Sequence, residues 1–153
     1  MITEYKKKLI KMDEYVEVKV KNFAKYDKKI ICFSSRGKEI PNNEELANSL
    51  VKKYSELLQA NPGCITFIDL RIVEKFPITL AWSKVNLIAK EIDPIARKNL
   101  FASAIFVSGK QMKTFVNSIF QVYPPVIPTK ICNTNEEAME FVVNVIQKKE
   151  KKK

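Results

Sequence analysis

Apolar runs of strand length alternate with amphipathic helical segments along most of this chain, and this alternation restricts its fold more than any other feature. Four runs, which begin near Lys29, Cys64, Phe101 and Val126, are each followed by a segment whose apolar residues recur every three or four positions. Strands that are apolar along their whole length are buried on both faces, and helical connections between them favour parallel pairing. The sequence therefore predicts an α/β fold with a single, mostly parallel sheet.

The first predicted strand differs from these four. Between Tyr15 and Phe23, apolar and polar residues alternate strictly, which is typical of a half-buried strand. Residues Ala24 to Lys29 form a polar turn, and the apolar run that ends at Ser34 follows at once. We predict an antiparallel hairpin that supplies one edge of the sheet, so that the complete order of elements is ββαβαβαβα.

Local signals predict where the helices begin and end. Asn42 is the expected cap of the first helix, with Glu45 three residues later as in a capping box. The second helix should end before the Asp-Pro pair that contains Pro94, because proline disfavours helical geometry in the residue before it. Ser108 is expected to cap the third helix, and Thr134 the fourth helix through a second capping box.

Positive charge is concentrated at the two ends of the chain. The formal net charge is +10, and nine of the 27 Lys and Arg residues lie in these ends. We divide the chain into a basic segment over residues 1–13, a domain over 14–147 and a Lys-rich tail over 148–153. This placement predicts two electrostatically adhesive termini and no single basic face. The terminal lysines are Lys6, Lys7, Lys8, Lys11, Lys148, Lys149, Lys151, Lys152 and Lys153.

The sequence contains no signal for a membrane or for secretion. No apolar run approaches the roughly 20 residues that a membrane-spanning helix needs. The stretch from Met1 to Met12 is rich in lysine but lacks the apolar core of a secretory signal. We therefore expect a soluble cytoplasmic protein.

Composition argues against the common kinds of catalytic and cofactor site. The chain has no histidine, which removes Ser-His-Asp and Cys-His arrangements together with the commonest general base. Cys32, Cys64 and Cys132 are widely spaced among apolar residues, so we expect reduced thiols within strands and no zinc site. Neither GxGxxG nor the P-loop pattern occurs. We expect no enzymatic activity, no metal and no cofactor.

Asp69 ends the central strand, where ligands bind in open α/β sheets. A carboxylate at this position suggests the phosphoacceptor of a response-regulator receiver domain. Such a site needs a second acidic cluster to hold Mg²⁺, and the neighbouring strand ends in Cys32-Phe-Ser-Ser35 without an acid. We therefore expect Asp69 to accept hydrogen bonds from the backbone or from Arg71.

The segment after the central strand is a candidate surface for a partner. Trp82 is expected to pack in the core, on the inner stripe of its helix. The run Phe76-Pro-Ile-Thr79 instead suggests a partly exposed apolar surface. Arg36 and Lys38, in the loop after the second strand, are candidates for a basic rim around it.

Two stretches of the chain resemble the STAS domain, the fold of bacterial anti-sigma-factor antagonists and of the cytoplasmic tails of sulfate transporters. The run Ile65-Thr-Phe-Ile-Asp-Leu-Arg-Ile-Val73 is similar to the central strand of that family. The run Pro128-Thr-Lys-Ile-Cys-Asn-Thr-Asn-Glu-Glu-Ala138 is similar to its last strand and following helix. The resemblance covers roughly residues 14 to 147 and implies a STAS-like fold with a regulatory role in protein binding.

The chain departs from this family at one functional motif. Antagonists carry Asp-Ser-Ser/Thr-Gly at the start of the helix after the central strand, where phosphorylation of a serine breaks partner binding. The chain has Phe76-Pro-Ile-Thr-Leu80 there, so that Thr79 is the remaining hydroxyl, with Ser83 one turn further. The resemblance therefore leaves Thr79 as the candidate phosphoacceptor.

These observations favour a non-catalytic STAS-like module that binds a protein partner, with a second copy of itself as one candidate. The contact surface is predicted in the loop and helix after the central strand. Two alternatives stay open: a lipid or small-ligand carrier whose apolar helices frame a pocket, and a binder of nucleic acid or anionic membrane through the lysine-rich ends. The predicted partner-binding residues are Asp69, Arg71, Lys75, Phe76, Thr79 and Ser83.

Overall fold

The computed structural model describes residues 12–151, and within them a five-stranded sheet carries four α-helices. Two short 3-10 turns, Met12–Glu14 and Ala24–Tyr26, lie on either side of the first strand. The strands are β1 Val16–Phe23, β2 Lys28–Ser35, β3 Cys64–Asp69, β4 Leu100–Phe106 and β5 Thr129–Cys132. The helices are α1 Glu44–Ala60, α2 Ile78–Asn99, α3 Lys110–Val122 and α4 Asn135–Lys151.

The strands are arranged in the order of the sequence, β1-β2-β3-β4-β5. β1 pairs with β2 antiparallel, and the other neighbours pair in parallel, which confirms the predicted fold class and the hairpin edge. The hairpin turn closes at Asp27, whose φ of 52° places it in the left-handed region. Aspartate tolerates this conformation better than most residues because its short side chain can bond locally.

Helices α1, α2 and α3 cover one face of the sheet, and α4 covers the other. Ile31 of β2 packs with Leu58 of α1 and Ile92 of α2, whereas the adjacent Ile30 packs with Val142 and Ile146 of α4. Right-handed crossovers between strands that advance in one direction place their helices on a common face. Helix α4 follows the last strand and is free to fold back over the opposite face.

Two predicted helix caps are wrong, and one is confirmed. Asn43 caps α1 in place of Asn42, because its side chain accepts a hydrogen bond from the Leu46 amide at 2.9 Å. Glu45 is therefore only two residues after the cap, whereas a capping box requires three. Ser108 does not cap α3, which begins after Gly109, since the Ser108 hydroxyl bonds elsewhere. Thr134 does cap α4, where its hydroxyl accepts from the Glu137 amide at 3.2 Å.

The predicted end of the second helix is also wrong, because α2 continues through Pro94 to Asn99. Proline within a helix costs about 3 kcal/mol through its missing amide and its steric clash. Ile92 and Ala96 on either side of Pro94 are buried in the largest core cluster, so packing of the helix offsets this cost. Pro94 itself is exposed on the outer side.

The last strand is shorter than predicted and starts at Thr129 instead of Val126. Val126 and Ile127 pack against the core cluster that contains Ile31 but lie outside the sheet. Pro128 has no amide with which to continue the ladder, although its carbonyl accepts from the Ser103 amide at 3.0 Å.

Three hydroxyl groups form a chain of hydrogen bonds between α1 and the sheet. Thr66 of β3 donates to Ser103 of β4 at 2.9 Å, and the Tyr54 hydroxyl of α1 lies 3.0 Å from Thr66. Because Thr66 gives its one proton to Ser103, Tyr54 donates to Thr66. Burial raises the pKa of Tyr54 to about 12. Each buried group therefore has a partner, as stable interiors require.

Replacing Thr66 by valine should lower the free energy of unfolding by about 1–3 kcal/mol, because the buried Tyr54 hydroxyl loses its acceptor while the side-chain shape is kept. Urea denaturation measures the effect. Thr114→Val is the matched control, since Thr114 is exposed and bonds only to a carbonyl of its own helix at 2.8 Å. Equal effects of the two changes would contradict a structural role for the buried chain.

Candidate functional site

The carboxyl ends of β2, β3, β4 and β5 meet at one edge of the sheet, since these strands run parallel. The segment over residues 70–83 crosses this edge from the end of β3 into the first turns of α2. It contains five of the six predicted partner-binding residues, and Asp69 directly precedes it. We call the part of it over residues 71–83 the 71–83 surface.

Asp69 and Arg71 bind each other at the start of this segment. The Asp69 carboxylate accepts from the Arg71 amide at 3.0 Å, from Nε at 3.0 Å and from Nη2 at 2.7 Å. Burial alone would raise the pKa of Asp69, but the hydrogen bonds and charge of Arg71 outweigh it, so this pKa lies below its usual value. The guanidinium also lies over the Phe106 ring, 4.8 Å from its centroid. The expected hydrogen bonding of Asp69 is confirmed.

Backbone contacts from three directions hold the loop in place. The Leu70 amide donates to the Phe106 carbonyl at 2.8 Å, which extends the sheet beyond β3. The Glu74 amide donates to the Lys38 carbonyl at 2.7 Å, and a short parallel bridge joins the loop after β2 to Lys75. The Ser108 hydroxyl donates to the Arg71 carbonyl at 2.5 Å. The hydroxyl that was expected to cap α3 therefore fixes this loop.

Aromatic packing anchors the second half of the segment. Phe76 lies against Phe115 of α3 with ring centroids 4.5 Å apart, and Trp82 meets the same ring edge-on at 6.1 Å. Phe76 and Trp82 are thus half-buried beside a core cluster that contains the buried Val73. The structure shows Phe76 chiefly as an anchor that orients the start of α2.

Two isoleucines of the segment point into solvent instead. Ile72 is 49% exposed and Ile78 is 51% exposed, although both are large apolar side chains. Ile78 belongs to the run Phe76-Pro-Ile-Thr79 that the sequence analysis proposed as a partly exposed apolar surface. Ile72 was not selected, because nothing in the local pattern separates it from the buried Val73. Single exposed apolar side chains are common on protein surfaces, but these two lie on one segment that contacts with the rest of the fold hold in place.

The polar residues predicted for this surface are also accessible. Lys75, Thr79 and Ser83 are exposed, and the Ser83 hydroxyl donates to the Leu80 carbonyl at 2.6 Å. Thr79 is the second residue of α2, and the preceding Pro77 provides no side-chain cap. The cap residue therefore offers no side-chain acceptor to the amide groups of the first helical turn, in which Thr79 lies.

The lysine-rich ends fall partly outside the described residues. Helix α4 continues to Lys151, so Lys148, Lys149 and Lys151 are exposed on its last turn, where positive charge complements the helix dipole. The Lys149 ammonium lies 4.3 Å from the centroid of the Phe101 ring. The lysines outside the described residues are Lys6, Lys7, Lys8, Lys11, Lys152 and Lys153.

The cysteines lie within strands, as predicted. Cys32 belongs to β2, Cys64 to β3 and Cys132 to β5, and all three are free thiols. Burial raises the pKa of each thiol, and that of Cys64 reaches about 11. A raised pKa keeps the thiols protonated at neutral pH, and thiols in this form are poor nucleophiles and metal ligands.

Comparison with known proteins shows the fold. No protein-family model matches the chain, and no curated protein matches it. Among solved structures, the chain is similar to an uncharacterized protein of the DUF3478 family with a SpoIIAA-like fold, from Shewanella loihica PV-4. The match has a TM-score of 0.55 and 16% identity, and it covers 84% of this chain and 94% of the other. The fold is therefore SpoIIAA-like, which confirms the resemblance to the STAS domain.

None of the helices within residues 12–151 is long and apolar enough to cross a membrane.

The Asp69–Arg71 pair should make stability depend on pH in the acid range. Because the pKa of Asp69 is lowered in the folded state, its stabilising effect is present above the unfolded pKa of about 4 and is lost as the pH falls below that value. We expect Asp69→Asn to cost about 1 kcal/mol at pH 7, a modest value because both side chains are partly exposed.

This difference from the unchanged protein should shrink as the pH falls from about 4 to about 2, measured by urea denaturation at each pH. Glu74→Gln serves as the control, since its contact with Lys38 is long, at 3.8 Å, and largely accessible to solvent. A cost of Asp69→Asn that stays constant over this range would contradict a contribution from the ionised pair.

Proposed function

We propose that this protein, which has a SpoIIAA-like fold, is a non-catalytic regulatory module that binds a protein partner through the 71–83 surface. The observation that supports this most directly is the exposure of Ile72, on the loop, and Ile78, at the first position of α2, on a segment that contacts with the rest of the fold hold in place. Complete burial of a large apolar side chain contributes about 1.5–3 kcal/mol, and because Ile72 and Ile78 are already about half-buried, covering each would contribute about half of that. On this proposal, the two residues act as the centre of the contact.

The rigidity of the loop favours binding. Association costs free energy when loops and side chains must become ordered, and a preorganised surface avoids much of that cost. Backbone bonds to Lys38 and Phe106, the Ser108 hydroxyl bond and the ring of Phe115 already fix this segment. On this proposal, Phe76 supports the surface from below, and the two isoleucines make the direct apolar contacts.

The charges around the isoleucines indicate the chemistry of the partner. Lys75 is exposed within the segment, and Lys38 lies on the neighbouring loop with a long, solvent-accessible contact to Glu74. Arg71 keeps about a third of its side chain accessible while it binds Asp69. Asp69 and Glu74 offset Arg71 and Lys38, so among the described ion pairs Lys75 is the cation of this group without a carboxylate partner. An apolar segment with an acidic residue opposite Lys75 would match this surface, because rim charges of opposite sign steer association and select the partner.

The arrangement of Asp69 also supports binding over catalysis. All the bonds of its carboxylate that the structure describes are to Arg71, and its pKa is lowered, which is the opposite of the shift that a general base at neutral pH requires. Its role in the proposal is to hold Arg71 and the start of the loop in position.

Charge at the isoleucines should abolish partner binding. A pull-down from the native cell extract at about 0.3 M salt, where surface charges are screened, would use the intact protein beside the variant with Ile72→Asp and Ile78→Asp. The captured partner is then purified and titrated against each variant, and we expect the affinity to fall by more than about tenfold. Val122→Asp is the matched control, because Val122 is 59% exposed at the end of α3.

If the double variant and the control bind the same partner equally well, the 71–83 surface is not the contact. If binding instead disappears at this salt concentration for every variant, the basic ends carry it, as the electrostatic alternative requires.

Negative charge at Thr79 should also weaken binding of the partner, but it should not destabilise the fold. A phosphate at the second residue of α2 would be stabilised by the helix N-terminus while it places charge beside Ile78. We expect Thr79→Glu to lower the affinity for the identified partner by more than about tenfold without lowering the urea midpoint. Thr79→Gln should bind the partner with unchanged affinity. Normal binding by Thr79→Glu would contradict a phospho-switch at this residue.

A further inference from the structure

A large cleft lies between the sheet and the helices on its three-helix face. Its volume is about 420 Å³, within the range of small-molecule sites, whereas ordinary protein interiors leave few voids larger than a water molecule. The cleft is separate from the 71–83 surface and from the residues that the proposed function uses as direct contacts. Representative wall residues are Phe33, Ile68, Ile105, Leu50, Ile92 and Phe120.

The walls of the cleft are almost entirely apolar. Tyr54 and Ser103 are among its polar lining residues, but each shares its hydroxyl with Thr66 in the buried chain of hydrogen bonds. Because these groups already have partners, they add little polarity to the interior. A molecule that fills this part of the cleft must therefore be hydrocarbon-like.

The ionisable groups that line the cleft restrict the ligand further. They are Asp69, Asp93 and Tyr54, and neither lysine nor arginine is among the lining residues, although the chain carries a net charge of +10. Asp69 is already bound to Arg71, which leaves Asp93 of α2 as the acceptor on the helical wall. Burial raises the pKa of Asp93, and the charge of Arg97, one helical turn away and outside the lining, partly offsets this. Within the lining, an anionic head group would meet a carboxylate and no cation, whereas a neutral hydroxyl group could donate to Asp93.

The cleft has a rim through which a ligand could enter. Ile88 of α2 lines the cleft and is nevertheless 38% exposed, and Pro125 lines it from the exposed segment before β5. Nearby, the Tyr123 hydroxyl donates to the Asn86 side chain and joins this segment to α2. The rim is thus formed by α2 and by the connection from α3 to β5, which lies outside the sheet.

From this combination of an apolar interior, a carboxylate and no lining cation, we infer that the cleft binds a neutral amphiphile: an uncharged hydrocarbon chain that ends in a hydroxyl group. The chain occupies the space between the sheet and α2, and the hydroxyl donates to Asp93. Fatty acids in their ionised form are disfavoured by the same carboxylate. This inference is independent of the proposed protein partner.

Displacement of a neutral fluorescent probe tests the inference. The purified full chain is loaded with N-phenylnaphthylamine, and decanol and decanoate then compete for the site at pH 8. We expect decanol to displace the probe at a concentration at least about tenfold lower than decanoate. Failure of decanol to displace the probe, or equal potency of the two ligands, would overturn the inference.

Three variants locate the site. Ile88→Trp narrows the rim at an already exposed position and should lower the affinity for decanol by more than about tenfold. Val122→Trp, at a position outside the cleft, should leave this affinity unchanged. Asp93→Asn keeps the shape but removes the charge, so the preference for decanol over decanoate should shrink. If Ile88→Trp does not fold, the Asp93→Asn variant tests the site by itself. A preference for decanol over decanoate that is unchanged in Asp93→Asn overturns the assignment of Asp93.

The double variant with Ile72→Asp and Ile78→Asp separates this inference from the proposed function. It should bind decanol as the unchanged protein does, because neither residue lines the cleft. Loss of decanol binding in this variant would place the ligand at the 71–83 surface and overturn the assignment to the cleft.

Discussion

The burial of strand β3 on both faces determines where the other elements lie. Ile65 faces α4 and is fully buried, while its neighbours Cys64 and Thr66 are equally inaccessible beneath α1 and α2. A strand with both faces covered needs helices on both sides, and the single amphipathic helix after β5 is the one that covers the second face. The three-layer arrangement and the loop that leaves β3 both depend on this constraint.

The 71–83 surface is rigid because that buried strand continues into it. Leu70 still bonds to Phe106 of β4, and the following residues are held by the loop after β2, by Ser108 and by Phe115. Leu70 also lines the cleft and packs in the same cluster as Phe76. The candidate surface and the candidate ligand site are therefore distinct but share a wall, which is the end of the central strand.

Electrostatics distinguishes the regions of the molecule. Lysines cluster in the last turn of α4, and Lys75 and Lys38 lie near the exposed isoleucines, but the cleft is lined by two carboxylates without a cation. The positive charge that gives the chain its net charge of +10 is therefore distributed unevenly between these regions. A protein partner with acidic residues and a neutral amphiphile would be selected by different parts of this uneven distribution.

The sequence by itself determined the order of the elements, the antiparallel hairpin, the strand positions of the cysteines and the cap at Thr134. These features depend on periodicity and on contacts within a few residues, which the chain displays directly. Only the tertiary structure decided that α2 passes Pro94, because burial of Ile92 and Ala96 offsets the local cost. It also decided that Ser108 bonds to the loop, that Ile72 and Ile78 are exposed, and that a cleft remains open between sheet and helices. Exposure depends on contacts between residues far apart in sequence, such as Phe76 with Phe115, and local patterns carry no information about them.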